Sequence, residues 1–179
     1  MTRRPPLDVV AHLDALRRYA RILTRNGPEA DDLVQGALLR ALERQEGFRD
    51  GSDLRVWLMS ILHNHHIDRL RSDGAATARD AAWADLEPGF APPAGEHAAR
   101  LDRVRRAVLA LPRDQREALH LLAVEGLSVA EAATILSVPA GTVMSRVGRA
   151  RAALRDWEEG GTARRARIRL VGGNDDPAA

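Results

Sequence analysis

The apolar positions step mostly at helical spacing. Leu13, Leu16, Ala20 and Leu23 recur at intervals of 3, 4 and 3 and predict a first helix ending near Asn26-Gly27-Pro28, a stop signal. Leu33, Ala37, Leu38, Ala41 and Leu42 predict a second, ending near Gly47. A loop over Glu46 to Asp53 follows, and Leu54, Trp57, Leu58, Ile61 and Leu62 predict a third helix to about Arg71. The pattern then lapses over 72–99, where Ala, Gly, acids and Pro88, Pro92 and Pro93 predict a linker with at most a short helix near Ala78 to Leu86. It resumes with Leu101, Val104, Val108 and Leu111 and breaks at Pro112. A helix over about Arg113 to Glu125 and a turn at Gly126-Leu127 come next. Ser128 and Glu131 form a capping box for a helix to about Leu136. After the turn 137–141 a last helix runs from about Thr142 to about Trp157. No segment alternates at period two for long, so the chain is expected to be all-α.

Two short helices joined by a tight turn are the signature of a helix-turn-helix. Val143, Val147, Ala150 and Leu154 give the last helix a core face, while Ser145, Arg146 and Arg149 lie on the other, with Arg151 and Arg155 beyond. Such a face suits a helix entering a major groove; an ordinary solvated basic face has the same pattern.

Charge sharpens the division. All 27 basic residues are Arg, whose planar fork suits phosphate and carboxylate. Residues 1–71 carry 12 Arg against 10 acids, and 72–99 carry 1 against 5. Residues 100–155 carry 10 Arg against 5 acids, and 156–179 carry 4 against 5. A basic rear module behind an acidic strap points to a nucleic-acid partner. The 179-residue chain has no Cys, which excludes disulfides, cysteine zinc sites and cysteine nucleophiles. No apolar run approaches the roughly 18 residues of a membrane span, and Met1 to Leu7 lacks the apolar core of a secretory signal, so a cytoplasmic location is expected. No phosphate loop, nucleophile elbow or metal-ligand run is visible, so neither an enzyme nor a cofactor is expected. His63 and His66 are three apart but lack a third ligand at standard spacing; they read better as polar neighbours of DNA than as a metal site.

The residues also carry a resemblance. Glu29-Ala30-Asp31-Asp32-Leu33-Val34-Gln35, then Phe48-Arg49-Asp50-Gly51, Trp57-Leu58, Ile61, Asn64, Ile67-Asp68 and Leu70-Arg71 form a front block. Ala110-Leu111-Pro112, Arg116, Glu125-Gly126-Leu127-Ser128, Glu131-Ala132-Ala133, Gly141-Thr142-Val143, Ser145-Arg146 and Arg149-Ala150-Arg151 form a rear block. Together, in this order, they resemble bacterial sigma factors of the extracytoplasmic-function (ECF) type, over about 10–71 and 100–157.

The resemblance implies two small helical domains joined by a flexible acidic linker, the second a four-helix domain with a helix-turn-helix. The divisions are 1–71 for polymerase binding and minus-ten recognition, 72–99 for the linker, 100–158 for minus-thirty-five recognition, and 159–179 for a disordered tail. It implies core RNA polymerase, promoter DNA and an anti-sigma factor as partners, with no membrane contact of the chain's own. Asp31, Asp32, Leu33 and Gln35 would dock on the polymerase, although Asp31 and Asp32 also suit the dipole of a first turn. Phe48, Arg49, Asn64, Asp68 and Arg71 would handle the minus-ten element. Phe48 and Asn64 would receive its flipped base, or else plug the second helix and cap the loop. Thr142, Met144, Ser145, Arg146 and Arg149 would meet the minus-thirty-five element. Met144 stands where a basic residue is common, and Gly148 where a larger side chain often reads DNA. The linker would thread toward the RNA path as an acidic mimic of RNA, or serve as a plain tether. The competing readings are a stand-alone helix-turn-helix regulator and a sigma-like mimic that sequesters a regulator.

Overall fold

A computed structural model of the chain describes residues 7–49, 51–76 and 96–170. These form seven α-helices and, among the described residues, no strand: α1 (Leu13–Thr24), α2 (Gly27–Glu43), α3 (Leu54–Ala76), α4 (Glu96–Ala110), α5 (Arg113–Ala123), α6 (Val129–Leu136) and α7 (Ala140–Leu170).

The helix ends follow from local chemistry. Arg25 adopts φ 60° and closes α1, and Asn26 then caps α2 by accepting from the Glu29 amide, with Pro28 in the first turn. Asp53 accepts the Val56 amide at 3.1 Å and starts α3. Gly126 takes φ 66° in the turn after α5. The Ser128–Glu131 capping box is fully formed. Ser137 at φ 54° ends α6 ahead of Pro139, giving the tight turn into α7.

Three boundaries differ from expectation. α3 continues to Ala76, past Arg71. α4 begins at Glu96, inside the segment read as linker. α7 runs to Leu170, so the expectation of a disordered tail from 159 is corrected for 159–170. The single Gly74, and the Gly160-Gly161 pair between Glu159 and Thr162, lower helix propensity by about 1 kcal/mol per Gly without removing a backbone hydrogen bond as Pro would. Residues 77–95, with the strap and the short helix near Ala78, and residues 171–179 lie outside the described residues.

The buried side chains form one continuous cluster rather than two. Leu16, Tyr19, Leu33, Leu58, Met59 and Leu62 from the front half join Leu121, Ile135, Val143 and Val147 from the rear half. Helix α1 packs on α5, and α3 packs on α6. Burial of each such large apolar side chain contributes about 1.5–3 kcal/mol, so the two halves share part of their hydrophobic stabilisation.

Candidate nucleic-acid interface

On α2, Ala30, Leu33, Val34, Ala37 and Ala41 turn inward, and Asp31, Asp32 and Gln35 are left exposed on the outer face. Leu33 is 0% exposed, which corrects its expected role as a docking residue: it fixes α2 to the core and has no surface to offer a partner. Leu39 and Leu42 continue the outer face beyond Gln35 at helical spacing, and both are exposed, which corrects the placing of Leu42 on the apolar stripe of α2. Their burial pattern, apolar but off the core stripe, was readable in the sequence only once the face of α2 was known.

In the loop before α3, Phe48 is 9% exposed and packs on Trp57, with ring centroids 5.1 Å apart and planes tilted by 55°. Phe48 therefore closes the apolar end of the loop in this conformation, while Arg49 beside it is exposed. On α3, Asn64, Asp68 and Arg71 are exposed along one stripe. Asp68 is paired with Arg40 of α2, which donates at 3.0 Å.

His63 and His66 are buried, which corrects their reading as neighbours of DNA. Burial, followed by the charge of Arg113, lowers both to about 4, so both are neutral at pH 7. His65 is half-buried over α2, and its ring occupies the space where Gly36 carries no side chain.

On α7, Val143, Val147 and Ala150 are buried, and Met144, Ser145, Gly148 and Arg149 face outward. Arg149 is held along the helix by weak bonds to the Ser145 carbonyl at 3.4 Å and its hydroxyl at 3.5 Å. Thr142 and Arg146 are half-buried, and Arg146 pairs with Asp114 of α5 at 3.3 Å. A Cβ added at Gly148 would meet nothing within 4 Å, so no packing inside the chain demands glycine there.

Asn64, Asp68 and Arg71 share a cleft of about 570 Å³ with Arg113, Ser137 and Arg146. Three of the sequence-derived site residues of the front half thus meet one of the rear half, Arg146. Phe48, Arg49 and the outward face of α7 do not line it.

Residues 9–63 match the Sigma2 domain of PhyR, and residues 101–154 match Sigma-70, region 4. The chain is 39% identical over 150 residues to the ECF RNA polymerase sigma factor EcfG of Rhodopseudomonas palustris, covering 82% of this chain and 81% of that one. It is 36% identical over 146 residues to the ECF RNA polymerase sigma factor SigM of Mycobacterium tuberculosis, covering 80% and 71%. Its fold matches the sigma factor RpoE of Bartonella quintana, solved in complex with the anti-sigma factor NepR, at TM-score 0.72 and 34% identity, covering 85% and 94%. The chain belongs to the ECF RNA polymerase sigma factors.

Proposed function

We infer that this chain is a dissociable, non-enzymatic subunit that gives bacterial core RNA polymerase its promoter specificity. It works in the cytoplasm, where the polymerase is; among the described residues no helix is long and apolar enough to cross a membrane. The observation that carries the reading is the occurrence of both blocks in one chain, each on its own helical surface, in the order the family uses.

The division of labour follows 1–71, 72–99 and 100–158. Asp31, Asp32 and Gln35 on the outer face of α2 dock on core polymerase, where carboxylates pair well with Arg or Lys. Arg49, Asn64, Asp68 and Arg71 engage the minus-ten element, with Phe48 released from Trp57 to stack on an unpaired base. Helix α7 enters the major groove upstream, with Ser145 and Arg149 at base edges, Thr142 and Arg146 on phosphates, and Met144 and Gly148 setting the fit. An anti-sigma factor holds the chain inactive, in keeping with the complex formed by the relative from Bartonella. The polymerase supplies all the chemistry.

Reconstituted transcription tests this. Purified chain with bacterial core enzyme should co-elute with it and move RNA start sites to a defined set of promoters; failure of both overturns the reading.

One observation favours a second reading. The front block matches the Sigma2 domain of PhyR, and a chain of that shape can act as a decoy for an anti-sigma factor. A decoy would bind the anti-sigma factor yet leave start sites unchanged in the same assay.

A further inference from the structure

The two halves of the chain are joined by a buried polar chain as well as by apolar packing. The Tyr19 ring of α1 is stacked with His63 of α3 and His120 of α5, at centroid distances of 6.3 and 5.8 Å and interplanar angles of 13° and 8°. The Tyr19 hydroxyl lies 3.0 Å from His63 Nδ1, to which it can donate. On the His63 side stands Glu117 of α5, 3.9 Å away, whose carboxylate accepts from Arg113 Nε at 2.8 Å. On the His120 side stands Glu125, with its side chain fully buried. It accepts a fork from Arg18 at 3.0 and 2.9 Å and a further bond from Arg55. Arg18, Tyr19, Arg55 and His63 of the front half therefore interleave with Glu117, His120 and Glu125 of the rear half. Arg116 adds a tie by donating from Nε to the Ile22 carbonyl at 3.1 Å.

This junction is closed but not fully satisfied. His120 Nε2 lies 3.2 Å from Glu125 Oε1, close enough to pair with it but poorly aligned, and Arg55 Nε is buried without a hydrogen-bond partner. Opening would hydrate both, which reduces the cost of separating the halves. In the closed form Asn64, Asp68 and Arg71, though exposed to solvent, line the shared cleft, whose volume of about 570 Å³ is on the scale of a small-molecule site and far too small for a DNA duplex.

We propose that Tyr19, His63, His120 and Glu125 form a latch that holds the unbound chain closed with the stripe of Asn64, Asp68 and Arg71 turned toward the helix-turn-helix half, and that protonation of the two latch histidines releases it. The occlusion of DNA-reading residues rests on the sigma-factor reading; the closure itself does not.

The groups facing each histidine set the sign. His63 meets Tyr19 from α1, Glu117 and Arg113 from α5, Arg146 from α7, and His66 on its own helix. His120 meets Tyr19 and Arg18 from α1, Arg55 from α3, and Glu125. Glu117 and Glu125 would each favour an imidazolium, but Arg113 already neutralises the first, and Arg18 and Arg55 the second. Burial therefore prevails, and both histidines are held below their ordinary value of 6.5. Glu117, pushed up by burial, works in the opposite direction as it takes a proton itself. In an open form the histidines return toward about 6.5. As pH falls below that value, the open form gains up to about tenfold per pH unit for each histidine.

The absence of cysteine makes the test direct. Spin labels on Glu43→Cys and Ala153→Cys, both exposed positions outside the latch, report the separation of the halves in the full chain by double electron–electron resonance. One short, narrow distance is expected at pH 7.5. The ratio of the longer to the short population should rise about fivefold through His63 between pH 6.5 and 5.5, and further through His120, with far-UV circular dichroism unchanged. His63→Gln combined with His120→Gln should cut that response to the part carried by buried His66, and Arg18→Ala should enlarge the open population already at pH 7.5. A distance distribution that ignores pH, an unaltered response in the double glutamine variant, or helix loss in step with the distance change would each overturn the proposal. Failure to redirect start sites would instead remove the sigma-factor reading and leave the distance result standing.

Discussion

Gly36 of α2 and His65 of α3 compete for one point of the helix crossing: a Cβ on Gly36 would overlap the His65 ring at Nε2. Glycine in a helix interior costs about 1 kcal/mol relative to alanine, so its use here reflects the approach of the imidazole. Gly36→Ala should lower stability by about 1 kcal/mol, because displacing His65 outweighs the gain in helix propensity. In a His65→Ala background the same change should instead stabilise by about 1 kcal/mol. Urea unfolding of the four proteins checks this; a stabilising Gly36→Ala in the presence of His65 would refute the close approach.

Asp31 and Asp32 are exposed and Leu33 is not, so neighbouring substitutions should fail differently. Asp31→Arg with Asp32→Arg should abolish co-elution with core polymerase while thermal unfolding stays within about 1 kcal/mol of the original. Leu33→Ala should cost about 2–5 kcal/mol of stability. Unchanged polymerase binding by the double arginine variant would remove α2 from the docking surface.

Gly148 and Arg149 make a matched pair of tests on α7. Gly148→Ala meets open space and should raise helix stability by up to about 1 kcal/mol, while weakening upstream-element binding if the backbone approaches DNA there. Arg149→Ala should weaken that binding by about 1–3 kcal/mol and relax sequence preference at the base pair it reads. Footprinting of polymerase carrying each variant measures both; equal occupancy of a cognate promoter with Arg149→Ala would place the reading elsewhere.

His66 lies beside the latch and carries its own pH dependence. Its ring is buried and faces Arg113, His63, Arg69 and Arg116, and burial first, then those charges, lowers it to about 4. A depressed histidine contributes stability that is complete above the unfolded value of about 6.5 and is lost as pH falls toward 4, at up to about 1.4 kcal/mol per pH unit. His66→Gln should therefore reduce the slope of stability against pH between 6 and 4.5, as read by urea midpoints. A slope identical to that of the original chain would mean that the ring is solvated.

Much of this protein was legible in the sequence. Spacings of three and four gave the core stripes of α1, α3 and α7 and most of that of α2, but on α4 they chose Leu101 and Val104, which are exposed, and passed over buried Ala107; Pro112 and the Ser128–Glu131 box gave the starts of α5 and α6, and the outward placement of Asp31, Asp32, Ser145 and Arg149 followed from period alone. These features depend on residues within one or two turns of each other, and local geometry decides them. The late ends of α3 and α7 were missed because a stop signal is a propensity of about 1 kcal/mol, easily overridden. The meeting of Arg18 with Glu125, the Tyr19 stack with His63 and His120, and the burial of histidines that read as polar surface were decided by the tertiary structure. Those contacts join positions 44 to 107 residues apart. No periodicity encodes them, because they arise only when two amphipathic faces, each already defined, find that they fit each other.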